Sequence, residues 1–357
     1  MSQPLNCLIL GASYGSLLAS KIALAGHNAT MVCTAPGAKL VNAEGTRVRL
    51  PVKALGKAIE LDSRNLSGDV RACTPGDCDP SDFDLAILAM QEPQYGADGV
   101  RQLMGRIAAA KTPTMSVMNM PPPPFLRRIP GVDLEAVNSA FGAPEVWAAF
   151  DPERFTLASP DPQAFRPPEE GKNVLEVGLP TNFKVAPFGD ETDTQILRRL
   201  QADIEAIRYD VDGQSTELPV KIKVHDSLYV PLAKWCMLLT GNYRCVLDGE
   251  VQSIRDAVHG DIDASLAVYD WVHNLCVSIG ADSTDLVPFE KYARAAQSLR
   301  KPSSAARALI AGVPNIERVD RVVQAIARAN GMQLDAVDAI VERVDAWLVR
   351  NQAQAAA

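Results

Sequence analysis

The sequence lacks the features that mark membrane, secreted, metal-binding or nucleic-acid-binding proteins. Among its 357 residues, no apolar run approaches the ~20 residues that span a bilayer, and the N-terminus has no basic stretch typical of a secretory signal. Only four histidines occur, no two of them at a ligand spacing, so no metal site is predicted. The net charge of −8 argues against a nucleic-acid partner, because such proteins usually carry a basic surface.

Cysteine is also sparse, and its pattern fits neither a disulfide framework nor a zinc site. The seven cysteines are an odd number, and the closest pair, Cys73 and Cys78, matches no zinc motif. Cytosolic proteins rarely keep disulfides. We therefore expect a cytoplasmic protein with reduced thiols.

The composition is that of an ordered globular protein, with 47% apolar and 22% charged residues. The chain is longer than the roughly 250–300 residues at which a single hydrophobic core stops growing, so we expect two domains. Short apolar strands alternate with helical patterns up to about residue 225, and only amphipathic helical patterns follow. This change predicts an α/β domain with a mostly parallel sheet over 1–224 and an all-helical domain over 225–357.

Proline is in surplus, with 25 residues in two notable groups. Four consecutive prolines occupy 121–124, and five more lie within 151–172. Proline has no N–H to donate and is excluded from helix interiors and central strands. We therefore expect 151–172 to form an irregular surface segment or a long loop.

Residues 5–33 predict a β–α–β unit with a glycine-rich turn. An apolar strand is followed by G-A-S-Y-G-S at 11–16, a helical run and a second strand. The turn is a degraded form of G-x-G-x-x-G, a motif that holds a pyrophosphate at a helix N-terminus. We predict a dinucleotide site, the alternative being a tight turn without a ligand. The residues of this site are Gly11, Ser13, Tyr14, Gly15 and Ser16.

The end of the second strand bears on the choice between NAD and NADP. An acidic residue there would bind the ribose 2′-hydroxyl of NAD, but this sequence has Thr34 and Lys39 and no acid. Thr34 could donate to a 2′-phosphate and Lys39 could reach it, so we predict NADP. The alternative for Lys39 is an ordinary surface lysine.

Three stretches of the sequence resemble ketopantoate reductases, which join a Rossmann domain to a helical domain like that of 6-phosphogluconate dehydrogenase. They are I-L-G-A-S-Y-G-S-L-L-A-S-K-I-A-L-A-G-H at 9–27, V-M-N-M-P at 117–121 and A-K-W-C-M-L-L-T-G-N-Y-R at 233–244. The likeness covers most of the chain apart from 145–172. It implies NADP-dependent reduction of a small carbonyl substrate, a 2-oxo acid, by a homodimer.

The resemblance also implies roles for single residues. Lys234 would polarise the carbonyl and donate a proton, Asn242 would orient Lys234 or a substrate hydroxyl, and Asn119 would face cofactor and substrate. Independently of the family, Lys234, Leu238 and Asn242 are spaced to share one helix face. Apolar neighbours would lower the pKa of Lys234, the alternative being a lysine that reaches into solvent.

The sequence departs from the family at several of its site positions. Leu238 replaces an asparagine, and Gln91, predicted to line the cofactor, replaces a lysine. The serine that would bind the substrate carboxylate falls on Ser303, which is equally well placed to cap a helix. The family's glutamate falls on Asn315, with Glu317 two residues beyond. Either Glu317 has taken over through a shifted register, or the pocket binds a different substrate.

These departures leave two rival functions open. An opine-type dehydrogenase, which reduces the imine of an amino acid and a 2-oxo acid, fits the shortened glycine turn and the missing glutamate. A non-catalytic NADP-binding sensor fits the loss of the family's lysine and asparagine at Gln91 and Leu238. A requirement for an amine would indicate the opine-type dehydrogenase. Binding of NADPH without turnover would indicate the sensor.

Overall fold

The computed structural model describes residues 3–356, which form two compact units. The sheet unit runs to Met90 and includes Gln94–Met118 and Glu145–Asp226. The helical unit consists of Gln91–Pro93, Asn119–Pro144 and the chain from Ser227 onward. The chain passes from the sheet unit to the helical unit for the last time after Asp226, whereas the sequence placed the boundary near residue 225. Two short segments from the first half of the chain also belong to the helical unit.

All strands of the described chain lie in the sheet unit. They are β1 Asn6–Leu10, β2 Asn28–Val32, β3 Arg47–Val52, β4 Lys57–Asp62, β5 Val70–Cys73, β6 Leu85–Leu88, β7 Thr114–Val117, β8 Phe155–Ser159, β9 Gln163–Phe165, β10 Val174–Leu179, β11 Phe183–Val185, β12 Tyr209–Val211, β13 Gln214–Thr216 and β14 Ile222–Val224.

The α-helices are divided between the two units, and nine of those in the described chain belong to the helical unit. In chain order they are α1 Tyr14–Leu24, α2 Ala35–Glu44, α3 Asp98–Ala110, α4 Pro123–Leu126, α5 Leu134–Val137, α6 Glu191–Ala206, α7 Lys234–Met237, α8 Ile254–His259, α9 Ile262–Ser278, α10 Phe289–Ala296, α11 Ser304–Ile310, α12 Val319–Ala329 and α13 Asp335–Ala356.

The main sheet has eight strands in the order β14-β11-β8-β7-β6-β1-β2-β5. Its neighbours pair in parallel except β11 with β8. With β3 and β4 set aside in a second, four-stranded sheet, the run from β5 to β8 follows the 3-2-1-4-5-6 order of dinucleotide-binding sheets. The order reverses between β1 and β6, where ligands of such sheets bind beyond the carboxyl ends of the strands. The predicted α/β fold class is therefore confirmed.

The proline-rich segment 151–172 is not the irregular loop that the sequence predicted. Its residues Phe155–Ser159 form β8, which is buried along its whole length and pairs with β7. Gln163–Phe165 form β9 on the second sheet. Pro160 and Pro162 lie between the two strands, where no ladder hydrogen bond is lost.

At the start of the region expected to be all-helical, residues 230–245 form a series of short helical turns. The α-helical turn Lys234–Met237 is followed by a π turn over Leu238–Asn242. A π turn bonds each residue to the fifth residue along, one more than in an α-helix. The regular α-helical spacing on which the expected shared face of Lys234, Leu238 and Asn242 depends is therefore interrupted at Leu238.

The structure also bears on membrane-spanning helices, disulfide bonds and metal sites. No helix within residues 3–356 is long and apolar enough to cross a lipid bilayer. All seven cysteines are free thiols. Among the described residues, no cluster of histidine, cysteine and carboxylate side chains is arranged to hold a metal ion.

Candidate functional site

The glycine turn connects β1 to α1 at the position where the order of the main sheet reverses. Gly11 has a φ of 107°, a conformation that favours glycine. A Cβ on Gly11 would lie 2.6 Å from the Ala89 carbonyl oxygen, just after β6. A Cβ on Gly15 would lie 2.9 Å from Cγ2 of Ile9 on β1. The two glycines thus permit the tight bend and the close helix–strand packing that a dinucleotide turn needs.

The other residues of the turn leave the N-terminus of α1 open. Ser13 occupies the N-cap position, but its side chain accepts no hydrogen bond from the first turn. Ser16 donates its hydroxyl to the carbonyl of Ala12, and the Tyr14 hydroxyl donates to the Pro162 carbonyl at 2.9 Å. The first N–H groups of a helix have no intrahelical acceptors and suit an anion. The turn therefore fits the pyrophosphate of a dinucleotide.

Thr34 and Lys39, predicted to meet the 2′-phosphate, both lie on the surface after β2. Thr34 caps α2, since its Oγ1 accepts a long 3.4 Å hydrogen bond from the Gly37 N–H. Its hydroxyl proton is not used by that bond. Lys39 is exposed on the same helix. At this surface position, Lys39 could reach a 2′-phosphate or could be an ordinary surface lysine.

Arg166, which the sequence analysis did not single out, also reaches the glycine turn. It follows β9, and its Nη2 donates to the Ala12 carbonyl at 2.8 Å. The side chain is partly buried. No sequence motif could have indicated this contact, because Arg166 reaches the turn only through the path that the chain takes after β8.

An acidic cluster forms the centre of the helical unit around Glu317. Burial and the neighbouring Glu92 carboxylate raise the pKa of Glu317 to about 7. Backbone hydrogen bonds from Glu92 and Asn119 and the charge of Lys234 oppose this rise. Four chain segments therefore meet at one carboxyl group, and the two predicted residues Lys234 and Asn119 lie beside it.

Glu92 is the member of the cluster that the sequence analysis missed. It is 2% exposed, and its Oε1 accepts a 3.0 Å hydrogen bond from the Gly142 N–H. Burial raises the pKa of this carboxyl group as well. Gln91, the neighbour that was predicted to bind the cofactor, is exposed. A single acid beside a proline after an apolar strand gave no pattern that could identify it.

The backbone around Glu317 is held by buried polar groups. The Tyr243 hydroxyl donates to the Glu317 carbonyl at 2.6 Å and accepts from the Val319 N–H at 3.1 Å. Next to Glu317, Arg318 donates to both oxygens of Asp320 at 3.0 and 2.8 Å. Arg318 is 7% exposed and Asp320 is fully buried, so this part of the chain is firmly fixed.

Asn119 retains capacity to act on a ligand, and Lys234 lies in the same cluster. Lys234 is partly buried at the start of α7, next to the fully buried Trp235. The Oδ1 of Asn119 is buried and accepts no hydrogen bond from the described residues. Buried polar atoms in native proteins nearly always have a partner, so an unpaired oxygen fits a donor supplied by a bound molecule.

Ser303, Asn242 and Asn315 have other neighbours. Ser303 caps α11 by accepting from the Ala306 N–H at 3.1 Å, and its hydroxyl donates to the Asn242 carbonyl at 2.7 Å. The helix-capping alternative for Ser303 is therefore what the structure shows. The side chain of Asn242 is partly exposed. Asn315 is exposed and accepts a long 3.4 Å hydrogen bond from Gln352.

The cluster is suited to proton transfer near neutral pH. A carboxyl group with a pKa of about 7 is protonated and deprotonated in comparable amounts at that pH. Lys234 acts on this group through its charge. The Glu317 carboxyl can therefore give up and regain a proton beside a lysine side chain.

The sequence matches no protein-family model and none of the curated proteins. Solved structures, in contrast, match over nearly the whole chain. A protein from Ralstonia solanacearum MolK2 described as a ketopantoate reductase has a TM-score of 0.69 at 16% identity, covering 98% of this chain and 99% of its own. Two further matches are a ketopantoate reductase and a D-mandelate dehydrogenase.

One of these is a dimeric ketopantoate reductase from Staphylococcus aureus, with a TM-score of 0.61 at 12% identity, covering 97% of this chain and 100% of its own. The other is a D-mandelate dehydrogenase in complex with NADH, with a TM-score of 0.60 at 14% identity, covering 97% of this chain and 99% of its own. The chain thus has the fold of the ketopantoate reductases, as its sequence motifs predicted.

Proposed function

We propose that this protein is a nicotinamide-dependent reductase of a small 2-oxo acid, with NADP as its cofactor. The observation that carries the proposal is the pairing of Lys234 with Glu317, whose pKa of about 7 suits proton transfer at neutral pH. The neighbouring Asn119 has an unpaired buried oxygen. The ketopantoate reductase fold and the glycine turn support the same conclusion.

The residues of the glycine turn fit the dinucleotide. Gly11, Ser13, Tyr14, Gly15 and Ser16 would hold the pyrophosphate at the open N-terminus of α1. Thr34 and Lys39 would meet the 2′-phosphate, and Gln91 and Asn119 would bind the ribose and the nicotinamide. When bound, the reduced nicotinamide supplies the hydride.

The helical unit supplies the proton in this proposal. Lys234 polarises the substrate carbonyl, and as hydride adds to the carbonyl carbon, the ammonium Nζ gives one proton to the oxygen. The products are a hydroxy acid and a neutral amine. The Glu317 carboxyl then returns a proton to Nζ, and the resulting carboxylate is reprotonated from solvent.

Glu317 rather than Asn315 takes the role of the family's glutamate in this scheme. An amide has no acidic proton to give, and Asn315 is exposed, whereas Glu317 lies beside Lys234. The roles predicted for Ser303 at the acid end of the substrate and for Asn242 in orienting Lys234 would come in addition to the helix cap and the hydrogen bond that joins the two residues. A homodimer is the assembly we propose, following the dimeric Staphylococcus aureus protein.

The test compares Lys234→Ala with Lys291→Ala, an exposed lysine of α10 in the same unit. NADPH oxidation is followed with a panel of 2-oxo acids, with and without amino acids. We expect Lys234→Ala to lower kcat by about 100-fold or more while Kd for NADPH changes little, because general acid catalysis contributes this much. Lys291→Ala should match the unaltered protein.

Each rival function has its own result in the same experiment. Unchanged turnover by Lys234→Ala would exclude the proposed role of the lysine. If NADPH oxidation strictly requires an amine, the function is that of an opine-type dehydrogenase instead. Tight NADPH binding without oxidation by any 2-oxo acid would replace the proposed reductase with a nucleotide-binding sensor.

A further inference from the structure

Arg166 reaches the glycine turn from outside the β–α–β unit. Its Nη2 donates to the Ala12 carbonyl at 2.8 Å. Four residues earlier, the Pro162 carbonyl accepts the Tyr14 hydroxyl at 2.9 Å. The segment around β9 is thus tied to the turn at two points. The arginine is held in place beside the N-terminus of α1.

Within residues 3–356 the Arg166 guanidinium is only partly satisfied. Its Nη2 bonds to Ala12, but its buried Nε donates to none of the described acceptors. None of the described carboxylates forms an ion pair with it, although most other arginines of the sheet unit have one. A guanidinium presents five N–H groups in a rigid fork that matches a phosphate. Its charge is therefore available to an anionic ligand.

The charge of the guanidinium is also felt at the end of β2. The pKa of the Cys33 thiol is raised by burial, and the positive charge of Arg166 opposes this rise. Cys33 immediately follows β2, the position from which Rossmann proteins read the 2′-position of the adenosine ribose. Arg166 therefore acts on two features of the nucleotide site, the glycine turn and the strand end that distinguishes NAD from NADP.

We infer that Arg166 also binds the 2′-phosphate of NADP, beside Thr34 and Lys39, and contributes most to the selection of NADP over NAD. The inference rests on the proposed function, since it requires a dinucleotide at the glycine turn. It adds a residue from the segment 145–172, where the resemblance to ketopantoate reductases does not extend. In comparison, Thr34 and Lys39 are exposed, and the hydroxyl oxygen of Thr34 already caps α2.

The experiment measures equilibrium binding rather than turnover. Calorimetry with 2′,5′-ADP and with 5′-AMP isolates the contribution of the 2′-phosphate, and NADPH and NADH fluorescence titrations extend the comparison to the whole cofactors. The variants are Arg166→Ala, Arg166→Lys and the control Arg71→Ala, an exposed arginine on β5 of the same unit.

We expect Arg166→Ala to weaken 2′,5′-ADP and NADPH about 10- to 100-fold, as expected for loss of a charged hydrogen bond. Binding of 5′-AMP and NADH should change by less than about twofold. Arg166→Lys keeps the charge but not the fork and should fall in between. Arg71→Ala should bind all four ligands as the unaltered protein does.

Three outcomes would overturn the inference. Equal weakening of NADPH and NADH would show that Arg166 supports the pyrophosphate or merely the turn, because a structural role affects both cofactors alike. Unchanged binding of both would show no ligand role. Failure of the unaltered protein to bind either cofactor would refute the proposed function too, whereas normal binding with no effect of Arg166→Ala would refute this inference alone.

Discussion

The Tyr243 hydroxyl donates a 2.6 Å hydrogen bond to the carbonyl oxygen of Glu317. Tyr243 is the first residue after the π turn, and the same hydroxyl accepts from the Val319 N–H. The π turn is thus followed directly by a buried tyrosine, and the hydroxyl of this tyrosine holds the backbone of Glu317 in place. π turns inside helices are frequently found at functional sites, and this one has an identifiable structural role.

Tyr243→Phe should destabilise the protein and impair turnover. The change removes one hydroxyl and leaves a buried carbonyl and a buried N–H without partners, which costs about 1–3 kcal/mol. Urea denaturation would measure the loss in free energy of unfolding, and steady-state kinetics would measure kcat. A stability equal to that of the unaltered protein would show that the two bonds are replaced by water.

Glu317→Gln should remove a pH dependence of stability. The pKa of Glu317 rises from 4.5 to about 7 in the folded protein, so folding favours the protonated form. This contribution is complete below pH 4.5 and is lost as the pH rises through about 7. Relative to the unaltered protein, Glu317→Gln should gain more than about 1 kcal/mol between pH 5 and pH 8. Urea denaturation at the two pH values measures this gain.

The same variant should reduce kcat, since glutamine cannot reprotonate Lys234. Parallel stability curves for the two proteins across this pH range would contradict the raised pKa. Unchanged kcat would contradict the proton relay, whatever the stability data show.

Glu92→Gln should lower the pKa of Glu317, because the Glu92 carboxylate is one of the causes that raise it. Glutamine keeps an oxygen for the Gly142 N–H, so the local backbone bond is retained. In the proposed reaction the protonated form of Glu317 is active, and the alkaline decline of kcat/KM should move toward lower pH. Glu135→Gln, an exposed acid of α5, is the matched control and should leave the profile in place.

Gly11→Ala should destabilise the sheet unit and abolish dinucleotide binding. Alanine would have to adopt a φ of 107° with its Cβ 2.6 Å from the Ala89 carbonyl oxygen, a strain of about 1–3 kcal/mol. Gly105→Ala in α3 is the control, since its Cβ would meet no atom within 4 Å. We expect it to stabilise the protein by about 0.5–1 kcal/mol. Thermal unfolding and NADPH titration of both variants test the contrast.

The α/β architecture was predictable because buried parallel strands are continuous apolar runs. The two strands of the β–α–β unit predicted over residues 5–33 are β1 and β2. β8 was missed because the prolines around it dominate the local composition and its sequence F-T-L-A-S contains two polar residues. Its position is set by pairing with β7, a tertiary contact that local patterns do not report.

The candidate site was only partly predictable. Lys234 and Asn119 were identified through family motifs, and the sequence left Glu317 and Asn315 as alternatives for one role. Glu92 had no motif, since its importance arises from burial against residues distant in sequence. The π turn was equally hidden, because the apolar pattern of 234–242 is compatible with an ordinary α-helix.

The division of the chain also dictates an order of assembly during synthesis. The sheet unit ends at Asp226, so all of its strands can pair while the rest of the chain is still on the ribosome. Glu92 and Asn119 belong to the other unit and have no Glu317 to meet until nearly the whole polypeptide has emerged. The proposed nucleotide site would therefore form first, and the proposed proton relay last.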